Sequence, residues 1–254
     1  MLSGLNLVLA PLFGVLIGLA LGMLGGGGSI LTVPVLVYVL GQSPHSALAT
    51  SLIIVGSNAL IGTWMHARSG HVKWKQALLF GALGIPAAYL GAHLSQRLPD
   101  TLLMICFALL MLVIAASMLR GGPKVNTDQQ RVVWWKVALG GAGVGFLTGF
   151  LGVGGGFLIV PALVLLLGMR MQDAVGSSLV VIAINSLAGL LGHLSDGQQP
   201  WPLIGVFVAS GIFGLLMGSQ ISQRISPKQL RTSFASFVFV LGCVLLVANG
   251  LVIL

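Results

Sequence analysis

The chain has 254 residues and only sixteen charged side chains (Lys+Arg 12, Asp+Glu 4), or 6%, against about 25% in a soluble globular domain. With 57% hydrophobic residues, a mean hydropathy of +1.07 and no Glu, it cannot cover a water-facing surface, and its apolar segments are read as lying in lipid. A soluble enzyme, a nucleic-acid binder and a disordered tail are thereby excluded. The net charge of +8 becomes a question of where the basic residues sit relative to a membrane.

The first segment, Leu5–Leu24, is apolar and carries no basic n-region, since the first Lys or Arg of the chain is Arg68; it is read as part of the mature protein. A glycine run, Gly25–Ser29, precedes the short segment Ile30–Leu40. Crossing the hydrocarbon takes about 20 residues, so this piece is predicted to be a half-helix. Ser46–His66, Val72–Leu94 and Thr101–Leu119 are long enough to span. After the hydrophilic stretch Arg120–Arg131 the series recurs as Val132–Leu151, a second glycine run, Phe157–Leu167, Ala174–Leu194, Pro202–Ser222 and Leu230–Leu251. Cys106 and Cys243 lie in apolar runs and read as structural filler.

The series recurs because the chain is duplicated. An offset of 127 aligns Gly14–Arg97 with Gly141–Arg224 without a gap, with roughly 30 of 84 pairs identical. Pro34 meets Pro161, Ser51 meets Ser178, Asn58 meets Asn185, His66 meets His193, and Trp74 meets Trp201. Shared membrane composition matches Leu to Leu by chance, but not polar, Pro and Trp positions in register. The predicted fold class is an all-α polytopic membrane protein of two inverted-topology repeats, with about 8–10 transmembrane or half-membrane segments and glycine-broken helices. The first repeat covers 1–119, a cytoplasmic basic linker 120–131, and the second repeat 132–254.

Charge sets the orientation, because cytoplasmic loops carry an excess of Lys and Arg. Arg68, Lys73 and Lys75 flank the loop after the third segment, whereas its counterpart Ser195–Pro200 holds only Asp196. One loop further on the bias reverses, with Arg97 and Asp100 against Arg224, Lys228 and Arg231. Placing the basic loops and the linker inside gives opposite orientations for the halves and puts both termini outside. A parallel eight-crossing arrangement would leave Arg224–Arg231 outside and ranks second.

Two constellations can do chemistry. Gly26, Gly27, Gly28 and Ser29, with their counterparts Val153, Gly154, Gly155 and Gly156, break helices at membrane depth, which is tolerated where backbone is buried in protein or lines a polar cavity. Each run opens a short helix whose free N–H groups and dipole favour an anion, and consecutive glycines can form a nest. The bland alternative is close helix packing or a sharp turn. No Lys-Ser/Thr follows either run, which argues against a Walker A loop. In the third segments, Ser51, Asn58 and Gly62, spaced by 7 and 4, share a helix face, and Ser178, Asn185 and Gly189 repeat it. Thr50 and Ser177 stand beside the serines. Such hydroxyls and amides supply donors to an anion path without adding negative charge; the alternative is interhelical glue at about 0.6 kcal/mol per bond.

His66 and His193 follow about two turns later as candidate gates, or as plain interfacial residues. Trp74 and Trp201 read as belt anchors, and Arg97 and Arg224 as snorkelling ends. The four acids fall in or beside loops, so a carboxylate-based sodium site or proton relay has no candidate residue, and the donor-rich core suits an anion. No metal or cofactor is expected.

The glycine break, apolar half-helix and Pro of Gly25–Pro34 and Gly152–Pro161, followed by Ala49–Leu52 and Gly176–Leu179 at the start of the next helix, resemble the TauE/SafE family of membrane transporters. The resemblance covers nearly the whole chain and occurs in both halves. It implies a bacterial inner-membrane transporter of small anions, with sulfite, sulfoacetate and other organosulfur compounds as cargo and export as the direction. Ala49-Thr50 stands where the pattern has Gly-Thr, and Ser29 where it has a third Gly. The expected partners are therefore the small anion and the lipid bilayer, with no nucleic acid; homo-oligomerisation is left open. Two other classes rank lower. An intramembrane hydrolase with Ser29 as nucleophile and His66 as base is disfavoured because Gly156 replaces Ser29 in the second copy. A membrane subunit passing an anion to a cytosolic partner would look alike in sequence.

Overall fold

The structure, a computed structural model, describes residues 4–26, 28–120, 134–151, 156–193, 199–222 and 226–250. The described elements are helical: α1 (Gly4–Leu24), α2 (Ser29–Pro34), α3 (Pro44–Arg68), α4 (Trp74–Ser95), α5 (Asp100–Leu119), α6 (Trp134–Leu151), α7 (Gly156–Leu167), α8 (Met171–Gly192), α9 (Trp201–Ser222) and α10 (Pro227–Gly250). The chain is thus an all-α polytopic membrane protein. Helices α3, α4, α5, α8 and most of α9 are long and apolar enough to cross a membrane.

Local chemistry sets the boundaries. Ser43 caps α3, its hydroxyl accepting the Ser46 N–H at 3.4 Å, and Pro44 occupies the first turn, where no intrahelical N–H partner is needed. Helix α2 opens into a wider π turn over Val35–Val39 directly after Pro34, whose ring removes an N–H donor and crowds the carbonyl four residues back. Gly41 (φ +68) and Gly168 (φ +62) then close α2 and α7 alike. Gln42 N–H bonds Leu36 O (3.0 Å) and Met169 N–H bonds Leu163 O (3.3 Å), the left-handed helix cap in both copies.

Packing follows the glycines. A Cβ on Gly62 would reach Leu179 at 3.0 Å, one on Gly56 would reach Ser186 at 3.0 Å, and one on Gly189 would reach Leu52 at 3.3 Å. Position rises along α3 as it falls along α8, so these two helices run antiparallel. Helix α1 instead lies parallel to α9, with Gly14, Gly18 and Gly22 against Ser210, Gly211 and Leu215. In the same way α6 lies parallel to α4, with Gly141, Gly145 and Gly149 against Leu83, Gly84 and Ala88. Glycine every fourth residue is the pattern that lets helix backbones meet in lipid.

Most of these contacts have a partner 127 positions away. Gly18–Gly211 answers Gly84–Gly145, Gly22–Leu215 answers Ala88–Gly149, and Gly62–Leu179 answers Leu52–Gly189. In these pairs a residue of one half touches in the other what its counterpart touches in the first. The pairing also fixes two ends of the bundle. The α3–α4 turn, the α7–α8 turn, the last residues of α5 and the first of α10 share one end, where Arg68, Lys73, Lys75, Arg120, Arg170 and Lys228 are exposed. At the opposite end His45 Nε2 lies 3.2 Å from Asp100, which sets the start of α5 beside the start of α3. Arg97 is the one Lys or Arg at that end among the described residues.

Candidate functional site

The two glycine breaks meet backbone to backbone at the centre of the bundle. A Cβ on Gly26 would run into the main chain of Gly156, and one on Gly156 into that of Gly26. Gly25 takes φ +74 and abuts Val175 and Ser178 of α8, while Gly28 lies against Ile17 and Leu21 of α1. Every described glycine of the first run therefore has a steric reason to lack a side chain. Two N–H groups expected to be open to an anion are used inside the turn: Gly26 N–H bonds Leu24 O (2.9 Å) and Ser29 N–H bonds Gly26 O (3.2 Å). Ser29 is fully buried, and its hydroxyl donates to Gly26 O at 2.7 Å. Gly27, Val153, Gly154 and Gly155 lie outside the described residues.

The helix-face residues divide differently. Ser178 donates back to Val175 O (2.7 Å), and Ser177 accepts the Lys73 N–H (2.9 Å). Thr50 donates to Gln199 Oε1 at 3.2 Å. Ser51, Asn58 and Asn185 are fully buried, and their side chains have no hydrogen-bond partner among the described residues. Both asparagines are wedged between helices by the same device. The Asn58 amide lies against Gly211 of α9 and the Asn185 amide against Gly84 of α4, positions where a Cβ would collide with the amide. Gly84 and Gly211 are themselves 127 apart, so the two amide pockets are repeat-related.

An unpaired buried amide costs roughly 1–3 kcal/mol, and here that arrangement occurs twice. Interhelical glue would bond the amides to a neighbouring helix, which neither does among the described residues. Among the other hydroxyls without such partners, Thr32 on α2 and Ser186 on α8 belong to fully buried residues and escape a reading of the sequence. Their counterparts are Ile159 and Ala59, so repeat matching does not flag them. The glycines opposite the amides carry a usable signal, because both are matched between halves.

The histidines sit at opposite ends of the bundle. His66, near the end of α3, is tied to Gly62 O at 3.0 Å. His193, just beyond α8, is fully buried, 2.9 Å from Gly189 O through Nδ1 and 3.2 Å from Ser95 Oγ through Nε2. A carbonyl only accepts, so Nδ1 carries the proton in both rings. Ser29 and His66 each bond to a backbone carbonyl of their own helical turn, which leaves them unpaired with each other. Of the acids, Asp100 and Asp173 stand in the first turns of α5 and α8; Asp128 and Asp196 lie outside the described residues.

Known proteins resemble this chain in sequence. The family model described as "Sulfite exporter TauE/SafE" matches residues 10–245. A "Probable membrane transporter protein" of Xylella fastidiosa (strain 9a5c) is 37% identical over 221 residues, 85% of either chain. Proteins likewise described as probable membrane transporters from Methanocaldococcus jannaschii (27% identical; 94% of this chain, 96% of the other) and Bacillus subtilis (YunE; 26% identical; 95% and 98%) match nearly end to end.

Proposed function

The chain belongs to the TauE/SafE sulfite exporter family, a family of membrane transporters, and from that premise we propose that it is a secondary transporter or facilitator for a small oxyanion or organosulfonate. The observation that carries this reading is the pair of fully buried amides, Asn58 and Asn185, without partners among the described residues and set in repeat-related pockets. An amide there offers N–H donors to an anion and brings no charge that would trap it. Ser51, Thr32 and Ser186 are further buried hydroxyls without partners among the described residues and can donate to the same anion. The family description supplies sulfite as the leading cargo, with sulfoacetate and related organosulfur anions as its neighbours in chemistry.

The two repeats are proposed to face the membrane oppositely, as the antiparallel run of α3 and α8 supports. In that topology the end bearing Arg68, Lys73, Arg120 and Arg170 lies in the cytoplasm with the linker 120–131, and both termini lie outside. An inside-negative potential favours anion exit by about 2.3 kcal/mol per charge per 100 mV. Export then needs no coupled ion, and export across the bacterial cell membrane is the direction proposed.

Proteoliposomes holding the purified protein alone test the proposal. Sulfite or sulfoacetate efflux is expected under an inside-negative potential, and Asn58→Ala or Asn185→Ala should abolish it while the protein still elutes as a folded species. No flux of any such anion without an added soluble partner would overturn it in favour of a subunit that hands its anion on.

A further inference from the structure

The two buried amides are unpaired at both ends. A carboxamide carries N–H donors on Nδ2 and an acceptor on Oδ1. In Asn58 and Asn185 alike, neither atom has a hydrogen-bond partner among the described residues. This holds whichever way round the amide is turned, since both positions are unpaired. Both side chains are fully buried and seated against a glycine of the next helix, Gly211 for Asn58 and Gly84 for Asn185. A ligand that satisfies such a site has to accept a hydrogen bond and also to give one. A fully ionised oxyanion only accepts, and it would set its own negative oxygens against Oδ1. An oxyanion that keeps one acidic proton does both. Its charged oxygen takes the N–H and its O–H goes to the carbonyl, the paired arrangement that joins an amide to a carboxylic acid.

The surroundings select for low charge as well. Among the described residues the fully buried polar side chains are hydroxyls and amides, with His193 as the exception. His193 lies beyond the end of α8 and is bonded to Gly189 O and Ser95 Oγ. Helices α1, α2, α7 and α9 contain no titratable residue. The other helices around the asparagines carry theirs in terminal turns: His45, His66 and Arg68 on α3, Lys75 and His93 on α4, Lys136 on α6 and Asp173 on α8. Tyr38 of the π turn and Tyr89 of α4 are half exposed. The amides thus offer an anion dipoles and no opposite charge. The free energy of taking an ion out of water grows with the square of its charge, so a dianion costs about four times as much as a monoanion.

We propose that the anion enters the amide pockets as a protonated monoanion, hydrogensulfite in the leading case, with its O–H donated to Oδ1 of Asn58 or Asn185 and its charged oxygen accepting from Nδ2. The proposal deepens the transport reading and rests on it for its purpose; the binding it describes does not depend on movement across a membrane. Sulfoacetate would enter by the same rule, with its carboxyl group protonated and its sulfonate charged. Every anion taken up in this form brings one proton with it.

Proton uptake on binding is the test. Above neutrality dissolved sulfite is mainly the dianion, so taking it as hydrogensulfite draws one proton per anion from the buffer. Titration calorimetry of the purified full chain in detergent with sodium sulfite, at about pH 8.5 in two buffers of different ionisation enthalpy, counts that proton. The expected result is an uptake of about one proton per anion, with an apparent affinity for total sulfite that falls about tenfold per pH unit. Sulfate, a dianion throughout this range, should not compete at equal concentration. Asn58→Leu and Asn185→Leu, each eluting as a folded species, should each weaken binding at least about tenfold. Binding without proton uptake, competition by sulfate, or unchanged affinity in both leucine variants would overturn the proposal.

A pH step across liposomes, with equal total sulfite on both sides and the potential clamped at zero, gives a second reading. Hydrogensulfite is more concentrated on the acid side and runs toward the alkaline side, whereas the dianion runs the other way. Net movement toward the acid side, beyond that of protein-free vesicles, would overturn this inference and leave the transport reading intact. A protein that binds sulfite with its proton and moves none would leave this inference standing and sink the transport reading.

Discussion

Replacing the buried asparagines by leucine separates a binding amide from a structural one. Asn58 and Asn185 lie at zero exposure with both amide atoms unpaired among the described residues. An unsatisfied buried group of this kind costs roughly 1–3 kcal/mol, and an apolar replacement of similar shape removes that cost. The replacement must also fit beside Gly211 or Gly84, where the helices already touch the amide. Branching at Cγ there adds a misfit of about 1 kcal/mol. The balance is a gain of about 1 kcal/mol for Asn58→Leu or Asn185→Leu, worth about 2–4 °C in melting temperature for a chain of this length. Anion flux should fall at least about tenfold in the same variants, a loss of about 1.4 kcal/mol in transition-state stabilisation. Melting followed in detergent by intrinsic fluorescence, alongside efflux from liposomes, gives both numbers on one preparation. A melting temperature lowered by several degrees with flux intact would refute the reasoning, because it would mean that the amides hold helices together.

The contact between the two breaks makes a second prediction. Gly26→Ala or Gly156→Ala places a Cβ inside the opposing main chain, and overpacking of about 3 kcal/mol should show as lost folded yield or a markedly lower melting point. Gly143→Ala, with open space around it inside α6, should instead match or slightly raise the melting point, since Ala favours helix over Gly by about 1 kcal/mol. Equal melting of Gly26→Ala and Gly143→Ala would contradict the close approach. The proposed orientation predicts that a membrane-impermeant maleimide added to intact cells reaches Asp196→Cys and spares Lys73→Cys. Labelling of Lys73→Cys alone would reverse the topology.

Most of the architecture was legible because both of its signals survive in composition. The length of apolar runs located the long spans, and glycine and proline located the breaks; α5, read as Thr101–Leu119, begins at Asp100. The differences are local. Pro44 and Ser43 start α3 two residues before the apolar pattern begins, because a proline in the first turn loses nothing there. The π turn after Pro34 could not be read, since it arises from a clash between a ring and a carbonyl and not from periodicity. Which helices pair was equally hidden. Glycine at every fourth position in α1 and α6 marks faces for close approach, but a stripe does not name its partner. Only the packed chain puts Gly18 on Gly211 and Gly145 on Gly84.

The candidate site could be read from the sequence where it is symmetric and not where it is unmatched. Matching the halves singled out Asn58, Asn185, Ser51 and Ser178, yet the structure splits the serine pair: Ser178 satisfies itself on Val175 O, while Ser51 has no partner among the described residues. Identical residues at matched positions can therefore differ in what they offer a ligand, because hydrogen bonding depends on the turn and on the neighbours. Conversely, Thr32, Ser186 and Asp173 have no matching counterparts, so a search built on duplication passes over them. A transporter made of two identical halves would expose the same donors and the same closures on both sides of a membrane, and its two faces would be interchangeable. Here the buried amides keep the symmetry, and the unmatched Thr32, Ser186 and Asp173 break it. On the proposed transport reading, the shared residues are those an anion crossing the centre would meet, and the unshared ones are where a preferred direction would be built in.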